Sequence, residues 1–356
     1  MNKVKPLAAF FIVHLSLMWH SYPQVSISSA NSGHWEPIVL SLLAEAVLFA
    51  ALLKGLSAFP NQSLMDIFDN KLKKWAARIV LLPFLCYLLL TLSLTTMMNT
   101  SLLTVTFLRD TPIWVLTLLL VIPLYAVRQG LEGIFRATLV FMIISGPVIL
   151  FSLASTAANY DIHNVMPFWD TKLSFLSNPA YYSSLLAFSG FTVVGFFSGK
   201  DRVLFSRWRY ILPAFLILLV CYLLFTYIPL LIFGKEAASK LQYAMSMSMD
   251  TVEIEWLFFD RLSLFYIIAS LVLVFVYASL LLWMMVEVTR KLYLPVPVTY
   301  LQIGFTCAAY GITMSIPNQT TGEKLFNLDS RISIYCMVAV PVIVYMMSWS
   351  KRRSPV

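Results

Sequence analysis

The sequence predicts an all-α integral membrane protein, and three observations carry that prediction. Of 356 residues, 60% are hydrophobic and only 12% are charged, where soluble domains carry about 45–50% and about 25%. Apolar runs long enough to cross a bilayer, roughly 20 residues each, recur along the whole chain. Basic residues fall between those runs and gather on alternate sides, as membrane topology requires. Together these exclude a soluble enzyme, a nucleic-acid binder and a disordered chain. The net charge of +8 is distributed as topology demands and points to no nucleic-acid partner.

In chain order the apolar runs predict ten spans, at 7–28, 36–54, 77–106, 112–128, 134–156, 180–198, 210–233, 263–287, 296–315 and 332–349. Lys3 and Lys5 precede the first run and no small-residue cleavage site follows it, so it reads as a retained span. The third is too long to cross upright and is expected to tilt, or to kink near Pro83. With the N-terminus inside, the cytoplasmic segments hold Lys3, Lys5, Lys54, Lys71, Lys73, Lys74, Arg78, Arg128, Arg136, Lys200, Arg202, Arg207, Arg209, Arg290, Lys291, Lys351, Arg352 and Arg353, eighteen of the 25 basic residues. The bias holds in every loop pair and predicts both termini in the cytoplasm. The chain reads as one domain, 1–356, with halves of about 1–157 and 178–350. Five is odd, so the second half enters the membrane with opposite orientation, a 5+5 inverted repeat.

Between the spans, residues 61–75 place Leu64, Ile67, Phe68, Leu72 and Trp75 on one helical face, which predicts a helix lying on the inner membrane surface. The outer loops 158–179 and 234–262 are long enough for structure of their own, and the second carries Met245, Met247 and Met249 with Asp250, Glu253 and Glu255. Trp114, Trp169, Trp208, Trp256 and Trp349 fall near span ends, where amphipathic rings anchor at headgroups. Cys86, Cys221, Cys307 and Cys336 sit inside apolar runs without metal or disulfide spacing and read as small buried thiols. No catalytic set, phosphate loop, metal cluster or cofactor motif can be assembled.

Two spans break their own pattern. Span 1 reads His20-Ser21-Tyr22-Pro23-Gln24-Val25-Ser26 in its outer half, and span 6 carries Phe188-Ser189-Gly190-Phe191-Thr192 in its middle. Proline or glycine beside small hydroxyls lets a helix unwind, and freed backbone groups then coordinate a ligand. These are the first spans of the two halves, and matching interrupted helices point to a transporter-type binding site. The competing account is ordinary kinking and close packing through small residues. The expected ligand-binding set is therefore His20, Ser21, Gln24, Ser26, Ser189, Gly190 and Thr192, with Thr95 and Asn99 added from a polar stripe (Thr91, Thr95, Asn99) on span 3. Interhelical hydrogen bonding explains that stripe equally well. Span 8 offers a weaker row of Tyr266, Ser270 and Tyr277. Glu45 stands out as a carboxylate near the centre of a span, where such groups face the bundle interior and mark ion or proton paths. A neutral glutamic acid bonded to a neighbouring helix is the alternative.

Particular stretches also resemble a known family. Thr111-Pro112-Ile113-Trp114-Val115 opens span 4, and Tyr125-Ala126-Val127-Arg128-Gln129-Gly130-Leu131-Glu132-Gly133-Ile134-Phe135-Arg136 follows. With Asn164-Val165-Met166-Pro167, the Phe-Ser-Gly-Phe core at 188–191 and the stretch from Glu255 to Leu262, these resemble the B subunits of spore-germination nutrient receptors, a branch of the amino acid–polyamine–organocation superfamily. The resemblance implies a permease-like subunit in the inner membrane of a spore, binding a small nutrient such as an amino acid beside an A subunit and a lipoprotein C subunit. It also implies a site at spans 1 and 6. The sequence departs from the superfamily in Trp-His-Ser-Tyr-Pro-Gln, where a glycine-rich break is usual, and in Thr192, where many relatives place an acidic residue. A working amino-acid transporter coupled through Glu45, or an assembly subunit with a degenerate site, remain competing functions on the same scaffold.

Overall fold

The computed structural model describes residues 4–19, 21–170, 172–252, 262–294 and 296–352. His20, Trp256 and residues 253–261, including most of the stretch from Glu255, lie outside the described residues. Among the described residues the chain is all helix and turn, without a strand. The helices are α1 (Lys5–Met18), α2 (Tyr22–Ser29), α3 (Trp35–Ser57), α4 (Leu64–Lys71), α5 (Lys74–Thr106), α6 (Ile113–Thr117), α7 (Val121–Arg128), α8 (Gly130–Ser155), α9 (Pro179–Ser184), α10 (Trp208–Ala238), α11 (Ala244–Asp250), α12 (Leu262–Leu292), α13 (Val298–Ser315) and α14 (Gln319–Arg352). Six of the described helical segments are long and apolar enough to cross a membrane: Trp35–Ser57, Lys74–Thr106, Gly130–Asn159, Trp208–Ala238, Leu262–Leu292 and Gln319–Trp349. Lys5–Met18 and Ile113–Arg128 are apolar but shorter.

Long-range bonds collect the helix ends into two sets. At one, here called the basic end, Lys5 at the start of α1 pairs with Glu132 in α8, and Glu132 also meets Arg136 at 3.5 Å. There too Arg78 Nε donates to the Leu292 carbonyl, Lys54 lies 5.5 Å over the Tyr345 ring, and Lys291 pairs with Asp66. At the far end, Asn178 donates to the Ser28 and Ser29 carbonyls at 2.8 and 3.0 Å, the Asp170 amide to Glu36 at 2.9 Å, and Lys235 to Asn31 at 2.7 Å. The two Asn178 bonds satisfy the last carbonyls of α2, which have no partner inside their own helix. α12 is the most buried of the long helices and forms the bundle's centre, against α5, α8 and α1.

α5 passes through Pro83 as one 33-residue helix, about 50 Å at 1.5 Å per residue, which is longer than the roughly 30 Å hydrocarbon layer. α14 begins at Gln319, well before the predicted span at 332, because Asn318 Oδ1 accepts from the Thr321 amide at 2.9 Å and caps its first turn. α10 carries a break at Gly234, whose φ of +72° no helix accommodates.

α4 differs from its expected role. Leu64, Met65, Ile67 and Phe68 are buried by protein rather than laid on lipid, because the segment after α9 and the helices α12 and α14 pack against this helix. Trp75, by contrast, is exposed at the start of α5. The carboxylate of Asp66 accepts from the Ser63 amide at 2.8 Å and hydroxyl at 2.6 Å, besides pairing with Lys291. Burial alone would raise its pKa, but these bonds outweigh that and hold it below the ordinary carboxylate value. A depressed carboxyl contributes stability above its unfolded pKa, about 3.9, and loses it as pH falls below that value. Asp66→Asn is therefore expected to lower the unfolding temperature at pH 7 and to flatten its fall below about pH 4. Fluorescence-monitored melting in detergent reads both; identical acid limbs would refute the assignment.

Candidate functional site

The first break follows from Pro23. In a continued helix its ring would meet the carbonyl of Trp19 and its missing N–H would leave that carbonyl unpaired. α1 accordingly stops at Met18 and α2 restarts at Tyr22 with Pro23 in its first turn. Trp19 turns inward and stacks on Tyr266 of α12 at 4.4 Å between centroids.

The second break takes an unexpected form. After one α-helical turn in α9, residues Leu185–Phe196 run as a twelve-residue 3-10 helix rather than unwinding. Such runs rarely exceed three or four residues. Here the Ser189 hydroxyl donates to the Leu186 carbonyl at 2.7 Å and Thr192 to the Ser189 carbonyl at 2.9 Å, both with i−3 partners that suit the three-residue repeat. Phe188 stacks on Tyr222 of α10 at 4.1 Å, and the Tyr222 hydroxyl donates to the Ala187 carbonyl at 2.8 Å. Tyr22, at the start of α2, closes this cluster edge-on to Tyr222 at 5.2 Å and to Phe188 at 6.0 Å. The two broken segments thus meet through aromatic rings.

One glycine makes that approach possible. A Cβ on Gly190 would lie 2.7 Å from the ring of His14. Only the bare backbone lets α1 and the 3-10 segment pack this closely. His14 is wholly buried; its Nδ1–H donates to the Phe10 carbonyl at 2.8 Å, since a carbonyl only accepts. Nε2 therefore faces Glu45 Oε1 at 2.7 Å with one proton shared between ring and carboxyl. The pair is neutral as a whole whichever partner holds the proton, which suits its setting among Phe10, Phe49 and Phe205. Glu45 Oε2 has no hydrogen-bond partner among the described residues.

A cavity of about 670 Å³ opens at the far end, between α2, α9 and the first turns of α14, with Met98 of α5 in its wall. Two of the expected site residues line it, Ser21 and Gln24. Ser21 donates to the Met98 sulfur at 3.3 Å. Ser26 points away and accepts from Thr226 of α10 at 3.0 Å. Thr95 and Asn99 line a separate, almost filled crevice of about 30 Å³ on another face of α5, and Asn99 donates to the Thr95 carbonyl at 2.7 Å. Ser189, Gly190 and Thr192 lie buried outside the cavity wall, in the bundle. His20 lies outside the described residues. The structure thus brings Ser21 and Gln24 together in an open cavity and leaves the other described candidates elsewhere.

The remaining polar wall comes from residues that sequence reasoning did not single out. Ser183 of α9 donates to Asn327 Oδ1 at 2.8 Å, and Ser330 to the Ser183 carbonyl at 3.3 Å, clasping α9 to α14. Glu323 and Arg331, two turns apart on α14, add opposite charges to the lining. Among the described residues no carboxylate pairs with Arg331. The helical turns before residue 332 are too polar to read as part of a span, so their cavity-facing side was not legible.

The same extension hides a second buried carboxyl. Asp329 is fully buried; one oxygen accepts from Thr91 of α5 at 2.8 Å and the other has no hydrogen-bond partner among the described residues. Tyr87, whose hydroxyl lies 2.8 Å from that of Ser189, sits one turn from Thr91 on α5. Thr91, read from the sequence as part of a polar stripe, thus ties α5 to α14. The recurrence of Asp329, Ser333 and Cys336 at helical spacing is the signal that would have found this face.

Against known proteins, a family model described as "Spore germination protein" matches residues 3–322, nearly the whole chain. No curated protein matches the chain.

Proposed function

The chain belongs to the spore germination protein family, and from that premise we propose that it is the permease-like membrane subunit of a germinant receptor, binding a small zwitterionic nutrient such as an amino acid. It is a multi-pass integral membrane protein of a permease-type family. Its ten spans would form two inverted halves of five, with the basic end and both termini in the cytoplasm and the cavity facing outward. In a spore that membrane is the inner one, and the A and C subunits are the expected partners.

One observation carries the ligand proposal: polar residues from α2, α9 and α14 line the 670 Å³ cavity together, with both charges of a zwitterion represented. Arg331 suits a carboxylate, Glu323 an ammonium, and Ser21, Gln24 and Asn327 the remaining polar atoms. The volume falls within the roughly 300–1,000 Å³ of small-molecule sites. A ligand shifts a conformational equilibrium only by its differential affinity for the two states. Here it would bridge the two broken segments and bias how they sit against each other.

The test uses spores carrying Arg331→Glu or Ser330→Trp, exposed to a panel of amino acids, sugars and salts. Loss of the response to one nutrient class by at least tenfold in rate, at unchanged protein abundance, is expected. A normal response from abundant mutant protein would remove the cavity as the site. A second function, proton-coupled amino-acid uptake, is favoured by the shared proton of His14 and Glu45. In vesicles with an imposed pH gradient it predicts labelled amino-acid accumulation that Glu45→Gln abolishes; no accumulation by the native chain excludes it.

A further inference from the structure

Between α3 and α10, on the outside of the bundle, runs a groove of about 470 Å³ walled by Leu42, Leu43 and Ala46 on one side and Leu212, Phe215 and Leu216 on the other. It continues into a second cavity of about 460 Å³ towards the basic end; Ala50, Leu53, Trp208 and Ile211 line both. The second part is also mainly apolar, but it adds polar groups that the first lacks, among them Lys54 and Arg202.

Arg202 is the informative group. It is 7% exposed. One terminal nitrogen donates to the Gln62 carbonyl at 2.6 Å and the Phe59 carbonyl at 3.4 Å, while Nη1 is buried without a hydrogen-bond partner among the described residues. Among the described residues no carboxylate lies within ion-pair distance. A buried guanidinium lacking a counter-ion is costly, so an anion from outside the chain is the missing component. Lys54 supplies a second cation; its ammonium rests over the Tyr345 ring and has no carboxylate partner among the described residues. Trp208, highly exposed, marks the junction of the two parts, the depth at which indoles sit at a headgroup boundary.

We propose that this groove binds one anionic phospholipid, with its acyl chains along the apolar wall of α3 and α10 and its phosphate on Arg202 and Lys54. The order of chemistry along the groove, cationic at the helix ends and purely apolar towards mid-bundle, matches a lipid from headgroup to tail. Basic pockets between helices at a membrane face are suited to such headgroups, and the guanidinium fork meets phosphate oxygens bidentately. A partner helix would have to bring both a long apolar stripe and an acidic group at its end; a lipid carries both in one molecule. The proposal rests on the chain being a membrane protein and is independent of the nutrient site.

The purified chain in mild detergent is titrated with phosphatidylglycerol, with phosphatidylcholine of the same acyl chains and with inorganic phosphate, following binding by native mass spectrometry and melting by fluorescence. Phosphatidylglycerol is expected to bind at least tenfold more tightly than phosphatidylcholine and to raise the unfolding temperature, with no effect of phosphate at equal concentration. Lys54→Gln and Arg202→Gln should erase the headgroup preference, while Ala50→Phe, filling the apolar wall, should weaken both lipids. Arg202→Gln also frees two loop carbonyls and risks misfolding; Lys54 and Ala50 are exposed, so those variants decide the matter if it fails. Equal affinity for the two lipids, stabilisation by phosphate alone, preference intact in Lys54→Gln, or cross-linking of Ala50→Cys to a polypeptide in native membranes instead of lipid would each overturn the proposal.

Discussion

Replacing His14 with alanine is expected to remove about 3–5 kcal/mol of folding stability, the usual loss when one member of a buried ion-pair or shared-proton pair is deleted. Glu45 Oε1 has its 2.7 Å bond to His14, and Oε2 has no hydrogen-bond partner among the described residues. Without the imidazole the whole carboxyl would stand unsatisfied between α1, α3 and the 3-10 segment. Removing both members is expected to cost far less than removing one, because no lone polar group is left behind. The check is a double-mutant cycle, His14→Ala, Glu45→Leu and the pair, by reversible unfolding in detergent. A single-mutant loss below about 1 kcal/mol, the net value of an ordinary hydrogen bond, would show that the two groups are not a buried unit. The same variants in spores separate stability from signalling: His14→Ala should lower protein level, whereas the double variant should restore level.

Gly199→Ala is expected to have a comparably large effect for a purely steric reason. Its Cβ would fall 1.7 Å from the Pro60 carbonyl oxygen, a backbone atom that cannot rotate away. Overpacking in a filled site costs about 1–3 kcal/mol and more where the neighbour cannot yield, so this variant belongs at or beyond the upper limit. The turn after the 3-10 segment would have to lift, drawing Arg202 off the Phe59 and Gln62 carbonyls that it bonds. Low abundance and new proteolytic cleavage near residues 60 and 199 are the expected readouts. Gly146→Ala, where a Cβ meets nothing within 4 Å, is the control and should be near neutral. Abundant Gly199→Ala protein with native melting would refute the close approach.

These two positions also show how far the chain can be read before it is folded. Pro23 stops α1 by its own covalent geometry, and the break was therefore visible in the sequence. Gly190 was visible as a weak point of span 6, but its neighbour was not: the His14 ring that occupies its missing side chain comes from 176 positions earlier in the chain. Glu45 was legible as an isolated carboxyl in an apolar run; its proton partner, 31 positions earlier on another helix, was not. Asp329 escaped because the polar turns ahead of residue 332 resemble a loop until Asn318 caps them into α14.

The sequence by itself determined the membrane class, the all-helical character and the family, because apolar run length, charge placement and short motifs are properties of neighbouring residues. Only the tertiary structure decided which polar groups share a space. It placed Ser21 and Gln24 with α9 and α14 while turning Ser26 to α10 and Asn99 into its own helix, and it tightened span 6 into a 3-10 helix instead of unwinding it. The physical reason is that a helix face of small polar residues has no preferred partner in apolar surroundings. Its hydroxyls bond equally well to their own backbone, to a neighbouring helix or to a ligand, and helix packing chooses among the three.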